Sequence, residues 1–194
     1  NNYFYDNNMR FNNLAWRIYH PMAENKDLAV KYAFNRGRNV VVVGNPNVDD
    51  YVLPQKTDPW KIKDKAMKRI IWAPHFTIVN GLGFAQISYF LEIADFMQQL
   101  AINYSNKITI AFKPHPRLYS ELERHPEWGE KRTKEYYTFW ENYPTTQLET
   151  GDYIDLFKSS DAMIHDSASF IVDYLYFHKP VLYDNPDIES AKIT

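Results

Sequence analysis

Three short stretches of this chain carry side chains suited to gripping an anion: Ala73-Pro74-His75-Phe76, Lys113-Pro114-His115-Pro116-Arg117 and His165-Asp166-Ser167-Ala168-Ser169. Histidine and arginine offer N–H donors to phosphate oxygens, arginine as a two-pronged fork. Serine hydroxyls before a helix add to the free backbone N–H groups there, where the helix dipole favours negative charge. Each group also has an ordinary reading. A Ser or Asp before a helix is most often just an N-cap. His75 fits equally as a hydrogen-bonded interior residue, and Arg117 as a surface cation. His115, between two prolines, is poorly placed to begin a helix and reads as displayed rather than packed. His165 and Asp166 have no closely spaced partner ligand, so no metal site is expected. His20, His125 and His178 have no motif around them.

The chemical reading gains weight from the elements that hold these stretches, because each follows an apolar run. Asp161 to Asp184 reads as a strand at Ala162–Ile164, a polar turn, a helix over Phe170–Phe177 broken by Pro180, and a strand at Val181–Tyr183. That is the repeating unit of a parallel sheet. Upstream, strands are expected at Val40–Val43, Arg69–Ala73, Ile108–Phe112 and Thr145–Leu148. Helices are expected at Ala23–Asn35, ended by Gly37, and at Gln86–Tyr104, whose apolar residues keep to one stripe. One or two more fall between Arg117 and Tyr143, broken near Pro126 and Gly129, and a short one spans Tyr153–Lys158. Asn1–Asn13 has no period and is left irregular. Strand and helix alternate throughout, which gives an α/β fold with a doubly wound parallel sheet. Such a sheet gathers its strands' carboxyl ends at one edge, so the three stretches should meet around one cleft.

Composition narrows the function. A hydrophobic share of 45% with 24% charged residues suits a globular protein, and a net charge of -2 argues against general attraction to nucleic acid. The absence of cysteine removes disulfide frameworks and thiolate metal sites and fits a reducing compartment. The longest uncharged run, Ile70–Leu91, is interrupted by Pro74, Asn80, Gly81 and Gly83 and reads as strand, loop and helix start rather than a membrane span. The basic stretch Lys61–Arg69 has two readings, contact with anionic lipid headgroups or, since Asp64 dilutes it, a solvated face. The 16% aromatic content fits stacking on a sugar or base, or simply core and interface packing. A start at Asn1 rather than Met reads as a piece of a longer polypeptide. Leu53–Pro59, rich in Pro, Gln, Thr and Asp, reads as a linker.

At these residues the chain resembles the CDP-glycerol glycerophosphotransferase family, bacterial enzymes of GT-B architecture that build teichoic acids and related polymers. The family's T-D-Y-S-S, F-D and K-P signature is represented by His165-Asp166-Ser167-Ala168-Ser169, Val172-Asp173 and Lys179-Pro180. The segment Val40–Asp50 is similar to a G-x-P-x-x-D stretch before the interdomain linker in this family and in UDP-N-acetylglucosamine 2-epimerases. The family's A-P-T is A-P-H here, and no H-G-T-P motif, the proposed acceptor base, is present.

The resemblance implies a transferase that moves glycerol phosphate, or a similar polyol phosphate, from a CDP-linked donor to a hydroxyl of a membrane-associated polymer acceptor, without a cofactor. It implies that residues 1–57 are the tail of an amino-terminal acceptor domain plus linker, the rest of that domain being a partner outside this sequence. Residues 58–194 would be the carboxyl-terminal, Rossmann-like donor-binding half of a GT-B fold. His115 and Arg117 would clamp the pyrophosphate, with Asp166, Ser167 and Ser169 across from them. Asp173 would accept from ribose hydroxyls, and His75 would contact phosphate or move a proton, making His75 and His115 the catalytic candidates. A cytoplasmic location follows, with a peripheral position on the inner face of the membrane left open. Two other readings stand beside it: a glycosyltransferase or 2-epimerase-like enzyme using the same turn with Asp173 as an acid, and a nucleotide-free interaction domain.

Overall fold

The structure, a computed structural model, describes residues 7–79, 88–166 and 168–183. Its contacts divide the chain between Leu53 and Pro54 into two compact units. The first unit contains α1 (Arg10–Leu14), β1 (Ile18–His20), α2 (Ala23–Tyr32), β2 (Val40–Val42) and α3 (Asn47–Val52). β1 and β2 pair in parallel, with Ile18 opposite Val40, over a small core of Ala29, Ala33 and Val40. The asparagine-rich start, expected to be irregular, includes α1. Asn39 Nδ2 donates to the carbonyls of Asn12 and Ala15 at 2.8 and 2.7 Å, and Asn13 Oδ1 accepts the Asn35 N–H at 2.9 Å. Its asparagines therefore act as backbone staples, a use that hydrophobic periodicity does not register.

The second unit holds β3 (Lys68–Ala73), α4 (Phe90–Asn103), β4 (Ile108–Phe112), α5 (Leu118–Arg124), α6 (Gly129–Asn142), β5 (Thr146–Leu148), α7 (Ile154–Ser159), β6 (Ala162–His165), α8 (Ala168–Leu175) and β7 (Val181–Tyr183). Its five strands are all parallel, in the order β5-β4-β3-β6-β7. The chain winds outward from β3 through β4 to β5, then returns to the other side of β3 for β6 and β7. This is the expected doubly wound sheet. The expected start of α4 at Gln86 lies outside the described residues.

Alternation along the strands sends side chains into two cores. Trp72, Ile110 and Phe112 face one layer with Phe90, Met97, Tyr136 and Trp140 from α4 and α6, while Ile71, Ala73, Ala111 and Met163 face the other with Leu156, Phe157 and Tyr174 from α7 and α8. A strand buried on both faces needs the continuous apolar run that β3 and β4 show. Trp72 is the centre of the first layer, stacked on Phe90 with ring centroids 5.5 Å apart and packed against Phe112 and Trp140 at 4.9 and 5.2 Å. The basic stretch before β3 is largely engaged within the protein. Lys61 Nζ donates to the carbonyls of Glu141 and Tyr143, Lys63 and Arg69 pair with Asp58, and Lys68 pairs with Asp161.

Removing the indole at position 72 leaves a cavity lined by aromatic faces that have no way to collapse. Trp72→Ala should cost about 3–5 kcal/mol in a urea unfolding titration, the range for large-to-small core changes. A loss below about 1 kcal/mol would mean that the aromatic layer does not hold the sheet.

Candidate functional site

β3 and β6 are neighbours although β4 and β5 lie between them in sequence, so the crevice between their carboxyl ends is the topological switch point of the sheet. A cavity of about 830 Å³ opens there, lined by Pro74 and His75 after β3, Lys113 to Pro116 after β4, Gly151 and Tyr153 after β5, and His165 at the end of β6. Further walls include Tyr119 on α5, Lys134, Tyr137 and Glu141 on α6, and Phe170 on α8.

Pairing continues past the ends of the strands and fixes the loops. The N–H of Lys113 donates to the Trp72 carbonyl at 2.8 Å, and the N–H of His115 to the Pro74 carbonyl at 3.0 Å. The two proline-stiffened turns therefore run side by side, and the His75 and His115 rings meet edge to face with centroids 5.1 Å apart. On the other side the Asp166 carboxylate, 3% exposed, accepts the His75 N–H at 2.7 Å and the Ser88 hydroxyl at 2.5 Å. The three stretches singled out in the sequence are thus tied to one another by hydrogen bonds.

Each ring is also fixed through Nδ1. His75 Nδ1 lies 2.9 Å from the Thr77 hydroxyl and accepts the Thr77 N–H at 3.4 Å. His115 Nδ1 accepts the Arg117 N–H at 3.1 Å. His165 Nδ1 donates to the Ala73 carbonyl. Burial, reinforced by His115, His165 and Arg117, lowers His75 to about 4. Burial and then the Arg117 charge hold His115 below its usual value, and burial lowers His165 against the pull of the Ala73 carbonyl. Lys113, 6% exposed, donates from Nζ to the Gly151 carbonyl at 2.7 Å; burial lowers it while Glu149 and Asp152 oppose that. The site is therefore a desolvated pocket with imidazole donors, an ammonium and aromatic walls. That combination suits an anion joined to a flat or polyol group.

The sequence candidates divide on inspection. His75 and His115 line the cavity together. Arg117 stands beside them, its guanidinium 4.2 Å above the Phe76 ring and 3.0 Å from Glu121 Oε1. Asp166 does not line the cavity; its carboxylate is turned to the His75 N–H and Ser88 instead of outward. Asp173 accepts the Tyr153 hydroxyl at 3.1 Å and stands behind the wall. Ser167 and the side chain of Ser169 lie outside the described residues. Sequence reasoning quoted Lys113 and His165 within its motifs but gave neither a place in the site. It missed Tyr119, Tyr137 and Tyr153, which only helix packing brings to the cavity.

Comparison with known proteins places this geometry in a wider context. The profile of the family described as CDP-Glycerol:Poly(glycerophosphate) glycerophosphotransferase matches residues 11–192. A histidine-to-asparagine variant of the wall teichoic acid polymerase TagF, soaked with CDPG, is similar in structure with a TM-score of 0.51 and 13% identity, over 90% of this chain and 39% of that one. UDP-GlcNAc 2-epimerase from Methanocaldococcus jannaschii, in complex with UDP-GlcNAc and UDP, gives a TM-score of 0.53 and 14% identity, over 88% of this chain and 45% of that one. At these identities the likeness to solved structures establishes the fold. The chain spans less than half the length of either structure. A search of curated protein sequences finds no significant match.

The depressed imidazoles set the acid stability. The unfolded chain takes up a proton on His75 near pH 6.5, whereas the folded chain refuses it until about 4, so stability falls as pH drops through that window. The carboxylates held low by hydrogen bonds and cations, such as Asp58 and Asp161, act only below the ordinary aspartate value of 3.8. Urea midpoints at pH 7 and pH 4.5 should therefore drop less in His75→Gln than in the parent. Equal drops would show that the ring is not desolvated.

Proposed function

Because the chain belongs to the CDP-glycerol:poly(glycerophosphate) glycerophosphotransferase family, we propose that it carries the donor-binding half of a transferase. That enzyme moves glycerol phosphate from a CDP-linked donor to a hydroxyl of a cell-surface polymer. The observation that carries this reading is the meeting of His75, His115 and Lys113 in one desolvated cavity at the switch point of the sheet.

In the reaction the acceptor oxygen forms a bond to the β-phosphorus. The bridging P–O bond breaks and CMP leaves, while the hydroxyl proton passes to a base. Negative charge grows on the departing phosphate, so fixed donors and cations supply most of the rate enhancement. His75 and His115 hold the diphosphate. Arg117 completes the clamp from beside His115, and its charge already bears on both rings. Ser167 and Ser169 keep the phosphate-binding role that the resemblance gives them. Asp166 acts as a positioning residue that fixes the His75 backbone. Tyr153, braced by Asp173, carries the ribose contact first assigned to the carboxylate itself.

The domain reading takes the same form. Residues 58–194 make the donor-binding domain, and residues 1–57 the tail and linker of an acceptor domain supplied by further polypeptide. In support, the first unit leaves Trp16 and Phe34 80% and 89% exposed, apolar surface suited to a further domain. Among the described residues no helix is long and apolar enough to cross a membrane. The enzyme would work in the cytoplasm and meet a membrane-held acceptor peripherally, using other parts of the whole protein.

A second reading, a nucleotide-sugar enzyme, draws on the shared fold with the 2-epimerase. Calorimetric titration with CDP, CDP-glycerol and UDP separates the two. CDP ligands should bind, and Arg117→Ala should weaken CDP by about tenfold or more, the worth of one charged hydrogen bond. Preference for UDP favours the second reading. An unchanged affinity in Arg117→Ala removes the clamp, and no nucleotide binding at all, with concentration-dependent association, makes the chain an interaction domain.

A further inference from the structure

We propose that His75 and His115 hold the diphosphate as neutral N–H donors locked in one tautomer by their own loops, and that neither ring serves as proton shuttle or as cation. The inference rests on the donor-binding reading and specifies how that site grips its ligand.

The argument begins with the two nitrogens of each ring. A neutral imidazole carries one proton, and a nitrogen that accepts a hydrogen bond cannot be the one that bears it. Backbone N–H groups can only donate. The Arg117 N–H is directed at His115 Nδ1 at 3.1 Å, and the Thr77 N–H at His75 Nδ1 at 3.4 Å, with the Thr77 hydroxyl 2.9 Å from the same atom. Both rings therefore carry their proton on Nε2, the nitrogen on the far side from the loop. His165 is assigned the other way, since the Ala73 carbonyl can only accept and Nδ1 must donate to it.

The same contacts oppose a second proton. Adding one to Nδ1 of His115 would set two donors against each other at 3.1 Å. The charged groups facing the rings act in the same direction. Arg117 and Lys113 are cations, and His165 is a third buried imidazole. Lys134 adds a cation to the cavity wall. Of the nearby carboxylates, Asp166 is bonded to the His75 N–H and Ser88, Glu121 pairs with Arg117 and Arg124, and Glu141 lines the cavity from α6. Among the described residues no carboxylate is bonded to either ring. Burial acts alongside, as the lowered values of both histidines indicate. The arrangement is that of an oxyanion hole, with oriented donors in a partly desolvated pocket and the balancing charge supplied by Arg117 and Lys113.

Glutamine and asparagine variants test this. The Gln amide nitrogen can take the place of Nε2 as a neutral donor, whereas Asn reaches only to the position of Nδ1. With CDP as the calorimetric probe, His115→Gln should bind within about threefold of the parent, while His115→Asn and His115→Ala should both lose about tenfold or more, as expected when one donor is removed. The same ordering is expected at His75. Titration of the parent in two buffers of different ionisation enthalpy should show no net proton uptake between pH 6.5 and 8. Two-bond ¹H–¹⁵N spectra of histidine-labelled parent protein should show both rings with Nε2 protonated.

Loss of binding in the Gln variants to the level of Ala, in folded protein, overturns the inference, as does uptake approaching one proton per ligand. If CDP does not bind the parent, the donor reading fails, and the same series run with inorganic pyrophosphate decides the inference separately. Failure of both ligands removes both.

Discussion

One buried carboxylate holds the site together. Asp166 follows the last residue of β6, and its two oxygens take the N–H of His75 and the hydroxyl of Ser88. A carboxyl group at 3% exposure is tolerable only when hydrogen bonds replace its water. Each bond is also a length constraint. One ties the turn after β6 to the turn after β3, and the other ties it to the approach to α4. The His115 N–H bond to Pro74 extends the chain of constraints to the turn after β4. The position of every imidazole in the cavity depends on this series.

The electrostatics follow from the same packing. Because the turns are stiffened by proline and held against each other, the two rings lie half-buried in mutual contact. Desolvation then favours their neutral forms. Lys113 is drawn into the same dry region and keeps company with the Gly151 carbonyl, so the loop after β5 is fastened to the end of β4. The site thus holds imidazoles fixed by their own loops beside the cations Arg117 and Lys113, the arrangement on which the proposed grip of a diphosphate rests.

Much of this was legible in the residues. The apolar runs Arg69–Ala73, Ile108–Phe112 and Val181–Tyr183 lie on strands, and the break near Gly129 separates α5 from α6. The convergence of His75 with His115 followed from parallel topology alone. What the residues did not disclose was direction. Nothing in H-D-S-A-S indicates that Asp166 turns inward to Ser88, seventy-eight positions earlier, or that Arg117 lies over Phe76. Lys113 drew no role from the sequence because its carbonyl partner is set by a loop thirty-eight residues away. The short β1 and the asparagine staples escaped because three-residue strands and polar bonds leave no hydrophobic period.

The strand order also governs how the molecule is made. β3 is the middle strand, yet its partner on one side, β6, comes after two further strands, so Ile70 waits for Ala162 and Ile71 for Met163. During synthesis the β3-β4-β5 half can assemble while one edge of β3, carrying Ile71 and Ala73, stays open to any passing strand. The seam between β3 and β6, where the cavity opens, therefore closes only after the β3-β4-β5 half has been made. A nascent chain stalled before β6 would present an open strand edge instead of a cleft, and aggregation during synthesis should concentrate in that interval.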